Sequence, residues 1–171
     1  MARFGAVDVH YPVEGGARAA LVVAMEATFA EVVDERTVWL DEAAPYRPGR
    51  FYERELPPLR ALLDGVEPLD LLVVDGYVDL DPAGRPGLGL HVHGAGMAPV
   101  VIGVAKTAFR AATHAVAVVR GTSARPLWVT AVGMSREDAA AQIAAMSGGA
   151  RLPEALHRVD RLARGTLLPR S

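Results

Sequence analysis

The sequence predicts an α/β protein: one mixed sheet that starts with three antiparallel strands, continues with parallel strands and is flanked by helices. Three observations carry this. Strand-like segments follow one another at short intervals over residues 3–40, as an antiparallel meander requires. The later apolar run Leu71–Val74 has no polar alternation, which is how a parallel strand covered on both faces reads. Two segments near the C-terminus carry clear helix start and stop signals.

The elements follow in order. "RFGAVDVHY" (3–11), "ARAALVVAMEA" (17–27) and "EVVDERTVWL" (31–40) are the first three strands. "PYRPG" (45–49) is a proline-bounded loop. A helix runs from about Phe51 to Asp64 and stops near Gly65. Pro57 and Pro58 place the start of its regular part there, because an interior proline lacks an amide N–H and clashes with the preceding turn. "LDLLVVDG" (69–76) is the buried strand, and residues 82–98 are Gly-rich without a readable period. "APVVIGVAK" (98–106) is a second buried strand; "HAVAVVRG" (114–121) and "RPLWVTAVG" (125–133) are two more. In "SREDAAAQIAAMSGG" (135–149) Ser135 is an N-cap, Asp138 stands three residues on, and glycines end the helix. "LPEALHRVDRLARG" (152–165) has Pro153 at its start and Gly165 at its end. Residues 1–165 make one domain and 166–171 a loose tail. The order of elements matches a ribonuclease H-like sheet.

Composition narrows the class. At 171 residues and 51% hydrophobic content, the chain can bury one real core. No apolar run reaches the roughly 18 residues that span a bilayer, so no membrane role is expected. "MARFGAVDVHYP" carries an Asp and a His too early for a signal-peptide core. With no cysteine there is no disulfide framework and no thiolate metal site, and the chain reads as cytoplasmic. The net charge of −2 hides an asymmetry: residues 26–81 hold 14 acids and 5 arginines, residues 82–171 hold 11 bases and 4 acids. This suits an acidic site beside a basic surface, and it equally suits ordinary solvated faces. Lys106 is the only lysine beside 17 arginines.

The acids are the first candidates for chemistry. Asp8 stands between Val7 and Val9 inside a strand, where an ionised carboxylate needs a partner or a metal. Asp75 ends the buried strand, at the carboxyl edge where open α/β sheets place ligands. If the first and fourth strands are neighbours, the two converge, and a hard cation such as Mg²⁺ relieves their repulsion. Asp75 before Gly76 also reads as a turn residue, and Asp79 and Asp81 read as a solvated turn. Glu55 in "FYERELPPL" is either a third carboxylate or a solvent-facing helix residue. Lys106 at a strand end either stabilises charge on a phosphate or exits to solvent. Tyr46, between prolines, is either an aromatic tip that wedges into a base stack or a packed surface turn. His91 and His93 flank Val92 and would share a face in extended chain, but no third zinc ligand accompanies them.

Taken in order, the segments resemble the endonuclease V family of deoxyinosine-directed nucleases. "AVDVHY" resembles its first-strand aspartate motif and "PYRPGRFYERELPPL" its proline-tyrosine wedge followed by an arginine-glutamate pair. "DLLVVDG" resembles the second aspartate motif, "RPGLGLHVHG" the Gly-Leu-Ala-Ser-His segment, "VVIGVAK" the lysine strand and "RLPEALHRVDRLAR" the C-terminal helix. The resemblance implies a ribonuclease H-like fold and a Mg²⁺-dependent endonuclease, with Mn²⁺ as an alternative ion, that hydrolyses a phosphodiester near inosine in single- or double-stranded DNA or RNA. It implies that Asp8, Asp75 and Glu55 hold the metal, with Glu55 acting through water, and that Lys106 sits by the scissile phosphate. Tyr46 and Pro48 would form the wedge, Gly49 and Gly76 would give backbone to the base pocket, and His91 would stand at the family's histidine. Extruding a base from its stack lets one nucleotide be inspected.

Several positions depart from the pattern, so the chain reads as a short, divergent member. Met134 stands where the family has a late histidine, and Gly76-Tyr77-Val78 replaces Gly-His-Gly. The chain starts directly at the first strand, without the family's N-terminal extension, and the stretch after Lys106 is short. Two functional readings follow: a metal-dependent nuclease, or a catalytically impaired paralogue that binds nucleic acid or a nucleotide without cutting.

Overall fold

The computed structural model describes residues 1–48 and 50–170, and Phe51 through its backbone alone. Its strands are β1 (Phe4–His10), β2 (Ala17–Ala24), β3 (Val32–Leu40), β4 (Leu71–Asp75), β5 (Val100–Ala105), β6 (Val116–Val118) and β7 (Leu127–Val132). They form a seven-stranded sheet in the order β3-β2-β1-β4-β5-β7-β6. The first three pair antiparallel, as expected, and β4 and β5 continue parallel to β1. The parallel run ends there, because β7 is antiparallel to both β5 and β6. Only residues 119–126 separate β6 from β7, and so short a connection joins antiparallel strands.

The helices are α1 (Phe51–Leu63), α2 (Leu88–Gly94), α3 (Arg136–Ala145) and α4 (Glu154–Arg164). One apolar layer, under α3 and α4, takes Ala6, Leu71, Val73 and Ile102 from the sheet. The other, under α1 and α2, takes Val7, Leu72, Val74 and Val101. Neighbouring residues of one strand therefore serve opposite layers. This is why "LLVV" shows no polar alternation: both faces of β4 are covered. Full burial of each such side chain stabilises by about 1.5–3 kcal/mol.

Local differences from the sequence reading have physical causes. Helix α1 starts at Phe51 and carries Pro57 and Pro58 inside it. Pro58 has no N–H for the Arg54 carbonyl one turn back, and the Tyr11 hydroxyl donates to that carbonyl instead, at 3.0 Å. The Gly-rich stretch contains α2, so His91 and His93 lie on a helix two positions apart and do not share a face. Asp79 is not a free turn acid: its Oδ1 lies 2.7 Å from His114 Nε2. The tail is tied down, since the Arg170 N–H donates to Glu35 Oε2 at 2.9 Å and Leu167 packs against the core. Ser135 caps α3 as expected, accepting from the Asp138 N–H at 3.1 Å. Gly165 ends α4 at φ 76°, a conformation that favours glycine. Among the described residues no helix is long and apolar enough to cross a membrane.

Candidate active site

Strands β1 and β4 run parallel with Ala6 opposite Val73. Continued by two residues, that register sets Asp8 level with Asp75 at the carboxyl edge of the sheet. Asp8 accepts from the Val9 N–H at 2.9 Å. The Lys106 ammonium, just past the end of β5, lies 3.7 Å from Asp75 Oδ2, and about half of the Asp75 side chain stays open to solvent. Glu55 enters from α1 and is 6% exposed. Asp8, Tyr11, Glu55 and Asp75 line one cavity of about 130 Å³. On the opposite face Asp8, Asp75 and Lys106 line a second cavity, closed by Leu156 and Val159 of α4.

The acids crowd a cleft that is closed around Glu55 and open to solvent at Asp75. Burial, then the charges of Asp75 and Asp160, pushes Asp8 up to about 7, against the Val9 N–H and Lys106. Burial and the Asp8 charge push Glu55 up to about 8, opposed by the neighbouring Tyr11 hydroxyl and by Arg54. Burial in the cleft also raises Asp75, with Lys106 pulling down and Asp160 pulling up. Such a donor set fits a hard divalent cation, which supplies the missing positive charge to carboxylate oxygens. Among the described residues no three His, Cys, Asp or Glu side chains lie together closely enough to hold a metal ion as a set. Asp8 and Asp75 would thus hold the ion, with Glu55 beside them and water or phosphate oxygens completing its shell, as Mg²⁺ prefers.

Beside the acids, Tyr52, Asp75, Gly76, Tyr77, Pro86 and Leu88 line a third cavity of about 230 Å³. Gly76 makes the turn after β4 at φ 115°, and its N–H donates to the Val104 carbonyl at 2.9 Å. Gly103 lets that turn come close: a Cβ there would lie 2.5 Å from the Gly76 carbonyl oxygen. His91 stacks on Tyr52 at 3.6 Å between ring centroids and 18° between planes, so it supports a wall of this cavity. Burial holds its imidazole below the usual range. Val78, which stands where the resemblance has a second glycine, is 1% exposed and belongs to the core under α1 and α2; its N–H donates to Thr130 Oγ1 at 2.8 Å. Met134 packs against the other core layer. Tyr46, 61% exposed, and Pro48 lie on the loop before α1, and Gly49 lies outside the described residues.

Two contributors escaped the sequence reading. Asp160 of α4 raises both Asp8 and Asp75. It lines a hollow of about 350 Å³ with Lys106, Arg151, His157 and Arg164, and it pairs with Arg164 at 3.1 Å. In "HRVDRL" it looks like an ordinary surface-helix acid. Tyr11 joins β1 to α1, with the Arg54 guanidinium 3.8 Å above its ring. The prolines of α1 were the available signal, since they announce a carbonyl in need of a donor.

The sheet order, with acids brought level on its first and fourth strands, defines the class as ribonuclease H-like. The chain matches the family model for endonuclease V over residues 1–169. It is 32% identical over 187 aligned residues to an endonuclease V of Streptomyces avermitilis, covering 96% of this chain and 80% of that protein. The crystal structure of a Streptomyces avermitilis endonuclease V matches with a TM-score of 0.79 at 29% identity, covering 97% of this chain and 81% of that one. The catalytic domain of human endonuclease V gives 0.79 at 27% identity, covering 97% and 82%. Endonuclease V of Ciona intestinalis, in complex with a 24-mer DNA containing an inosine followed by a ribo-adenosine, gives 0.80 over 96% and 85%; at 20% identity this is a likeness of fold. The chain belongs to the endonuclease V family.

Proposed function

We propose that the protein is a divalent-cation-dependent endonuclease that hydrolyses a phosphodiester near inosine in DNA or RNA. The observation that supports this best is the cavity shared by Asp8, Glu55 and Asp75, all raised by burial and the first two also by the charge of a neighbouring site acid, beside Lys106 at the carboxyl edge of the sheet. Mg²⁺ or Mn²⁺ bound there would polarise a phosphate oxygen and activate water. The chain's own groups do the rest. Asp8 and Asp75 line the same cleft and would offer their carboxylates to the ion, and Asp160 adds negative charge from α4. Glu55, freed of its proton when the ion binds, takes a proton from water at its carboxylate oxygen. Lys106 holds its ammonium toward the charge that develops on the phosphate.

Base recognition follows the same layout. The cavity formed by Gly76, Tyr77 and Leu88 takes the extruded base, Tyr52 with His91 behind it forms a wall, and Tyr46 and Pro48 fill the gap left in the stack. The inosine-containing DNA bound by the Ciona protein supports the same class of partner here. Met134 favours a second reading, a paralogue that binds without cutting, because a core-packed thioether replaces the family's late histidine.

Cleavage of end-labelled single strands and duplexes, with and without one inosine, in Mg²⁺ and in Mn²⁺, separates the two. The nuclease reading expects inosine-dependent cutting that Asp75→Asn abolishes. Binding without cutting by a folded chain selects the second reading.

A further inference from the structure

Next to the acid cleft the chain holds a phenyl ring out in solvent and fixes it there. Phe109 lies three residues past Lys106, in the connection from β5 to β6, and is 39% exposed. An exposed phenyl ring forgoes hydrophobic stabilisation, yet this one sits on a braced segment. The Tyr77 hydroxyl donates to the Thr107 carbonyl at 2.8 Å, just before the ring. After it, the Ala112 N–H donates to the Phe109 carbonyl at 3.0 Å and closes a turn, with Ala112 buried. Further on, the almost fully buried His114 is bonded to Asp79. Both ends of the segment are thus fastened to the connection that follows β4.

The ring's neighbours have one chemistry in common. Tyr77 stands 6.0 Å away, tilted by 53°, and Tyr77 also lines the cavity beside Asp75 and Gly76. The Arg85 guanidinium lies 5.8 Å from the centroid of Phe109. Lys106 and Arg110 are exposed on either side in sequence. A flat apolar ring flanked by a second aromatic and by cations, beside a cleft that takes a phosphate, matches a nucleobase joined to its own phosphate. In a duplex that base face is covered by the stack, so only an unpaired base can meet it.

We infer that Phe109 is a stacking platform for an unpaired base of the substrate strand, one neighbouring the nucleotide held in the cleft. This rests on the nucleic-acid reading above and adds a contact to it: the strand passes from the Gly76–Tyr77 cavity over Tyr77 onto Phe109, with Lys106, Arg85 and Arg110 along its phosphates. The platform is sequence-tolerant, because every base offers a π-face.

The test measures affinity by fluorescence anisotropy for inosine-containing single strands and for matched duplexes, all in an Asp75→Asn background so that nothing is cut. Phe109→Ala is expected to weaken single-strand binding about tenfold, the loss of one stacked base, with little change for the duplex. Phe109→Trp is expected to keep single-strand affinity within about twofold, since the stacking surface persists. A walk of abasic sites along the strand should find one position near inosine that weakens binding with Phe109 present and makes no difference in Phe109→Ala. Equal affinity for Phe109→Ala and its parent overturns the platform. So does a loss shared equally by Phe109→Trp, or one spread over every abasic position. Cleavage is read separately with Asp75 intact: a parent chain that cuts no strand while its Asp75→Asn form binds refutes the nuclease reading alone, whereas an Asp75→Asn chain that binds no strand refutes both.

Discussion

Glu35 and Glu55 are both buried, at 9% and 6% exposed, and their surroundings are opposite. Glu35 stands on β3 opposite α4. Burial alone would raise its carboxyl, but the hydrogen bond and charge of Arg158 and the N–H of Arg170 outweigh burial and hold it below the usual range. Glu55 stands on α1, facing Asp8 and Asp75, and is pushed up to about 8. One acid is satisfied by cations supplied by the chain. The other lies among acids that Lys106 and Arg54 only partly offset. A buried acid with its own cation is neutralised within the fold, and a buried acid among acids leaves room for a cation from outside.

The largest contrast lies in activity. Glu55→Gln keeps the shape and removes the charge, so it should cut cleavage by about 100-fold or more while leaving the melting temperature equal or higher at pH 8 without added cation. A drop in both would make Glu55 a structural acid like Glu35. Glu35→Gln should do the reverse. Removing one partner of a buried pair strands Arg158 and should destabilise by about 3 kcal/mol. That corresponds to a melting temperature lower by about 6–12 °C, with unchanged activity per folded molecule.

A smaller effect lies in pH. Asp8 at about 7 and Glu55 at about 8 stand above the values near 4 of an unfolded chain. Between roughly pH 4 and pH 8 the folded chain therefore binds more protons than the unfolded one, and its stability falls as pH rises through that window. Glu35, whose carboxyl is depressed, contributes stability at neutral pH that is lost on acidification. Melting in chelator should peak on the mildly acidic side and decline toward pH 9, and Glu55→Gln should flatten the alkaline decline. A curve that rises steadily from pH 5 to pH 9 would contradict the acid cluster.

The sequence carried all seven strands and the two aspartates because those signals are local, whereas the antiparallel direction of β6 and β7 is not. Asp8 interrupts an apolar run, and Asp75 ends one. The cap of α3 was readable for the same reason. What stayed hidden depends on contacts far apart in the chain. Pro58 is tolerated in α1 only because Tyr11, 47 positions earlier, replaces the missing donor. The link between Glu35 and Arg158 spans 123 positions, and Asp160 joins the cleft only when α4 crosses β1. Helix α2 was masked by glycines, two of which allow close approach: a Cβ on Gly89 would lie 2.6 Å from Val78 Cγ2, and one on Gly87 2.5 Å from the Tyr77 carbonyl oxygen. The same packing shows why Val78 does not crowd the cavity lined by Gly76 and Tyr77, a fate that its sequence neighbours could not reveal.

A cation that settles among the raised acids must expel their protons, so proton release reports its binding. Mn²⁺ would be titrated calorimetrically into the protein at pH 7, in buffers of different ionisation enthalpy. Saturable binding that expels about one proton per ion, and that disappears in Asp8→Asn and in Asp75→Asn, is the predicted result, because Asp8 and Glu55 carry protons at that pH which the ion must displace. Absence of saturable binding, or binding with no proton release that survives both substitutions, would contradict the account.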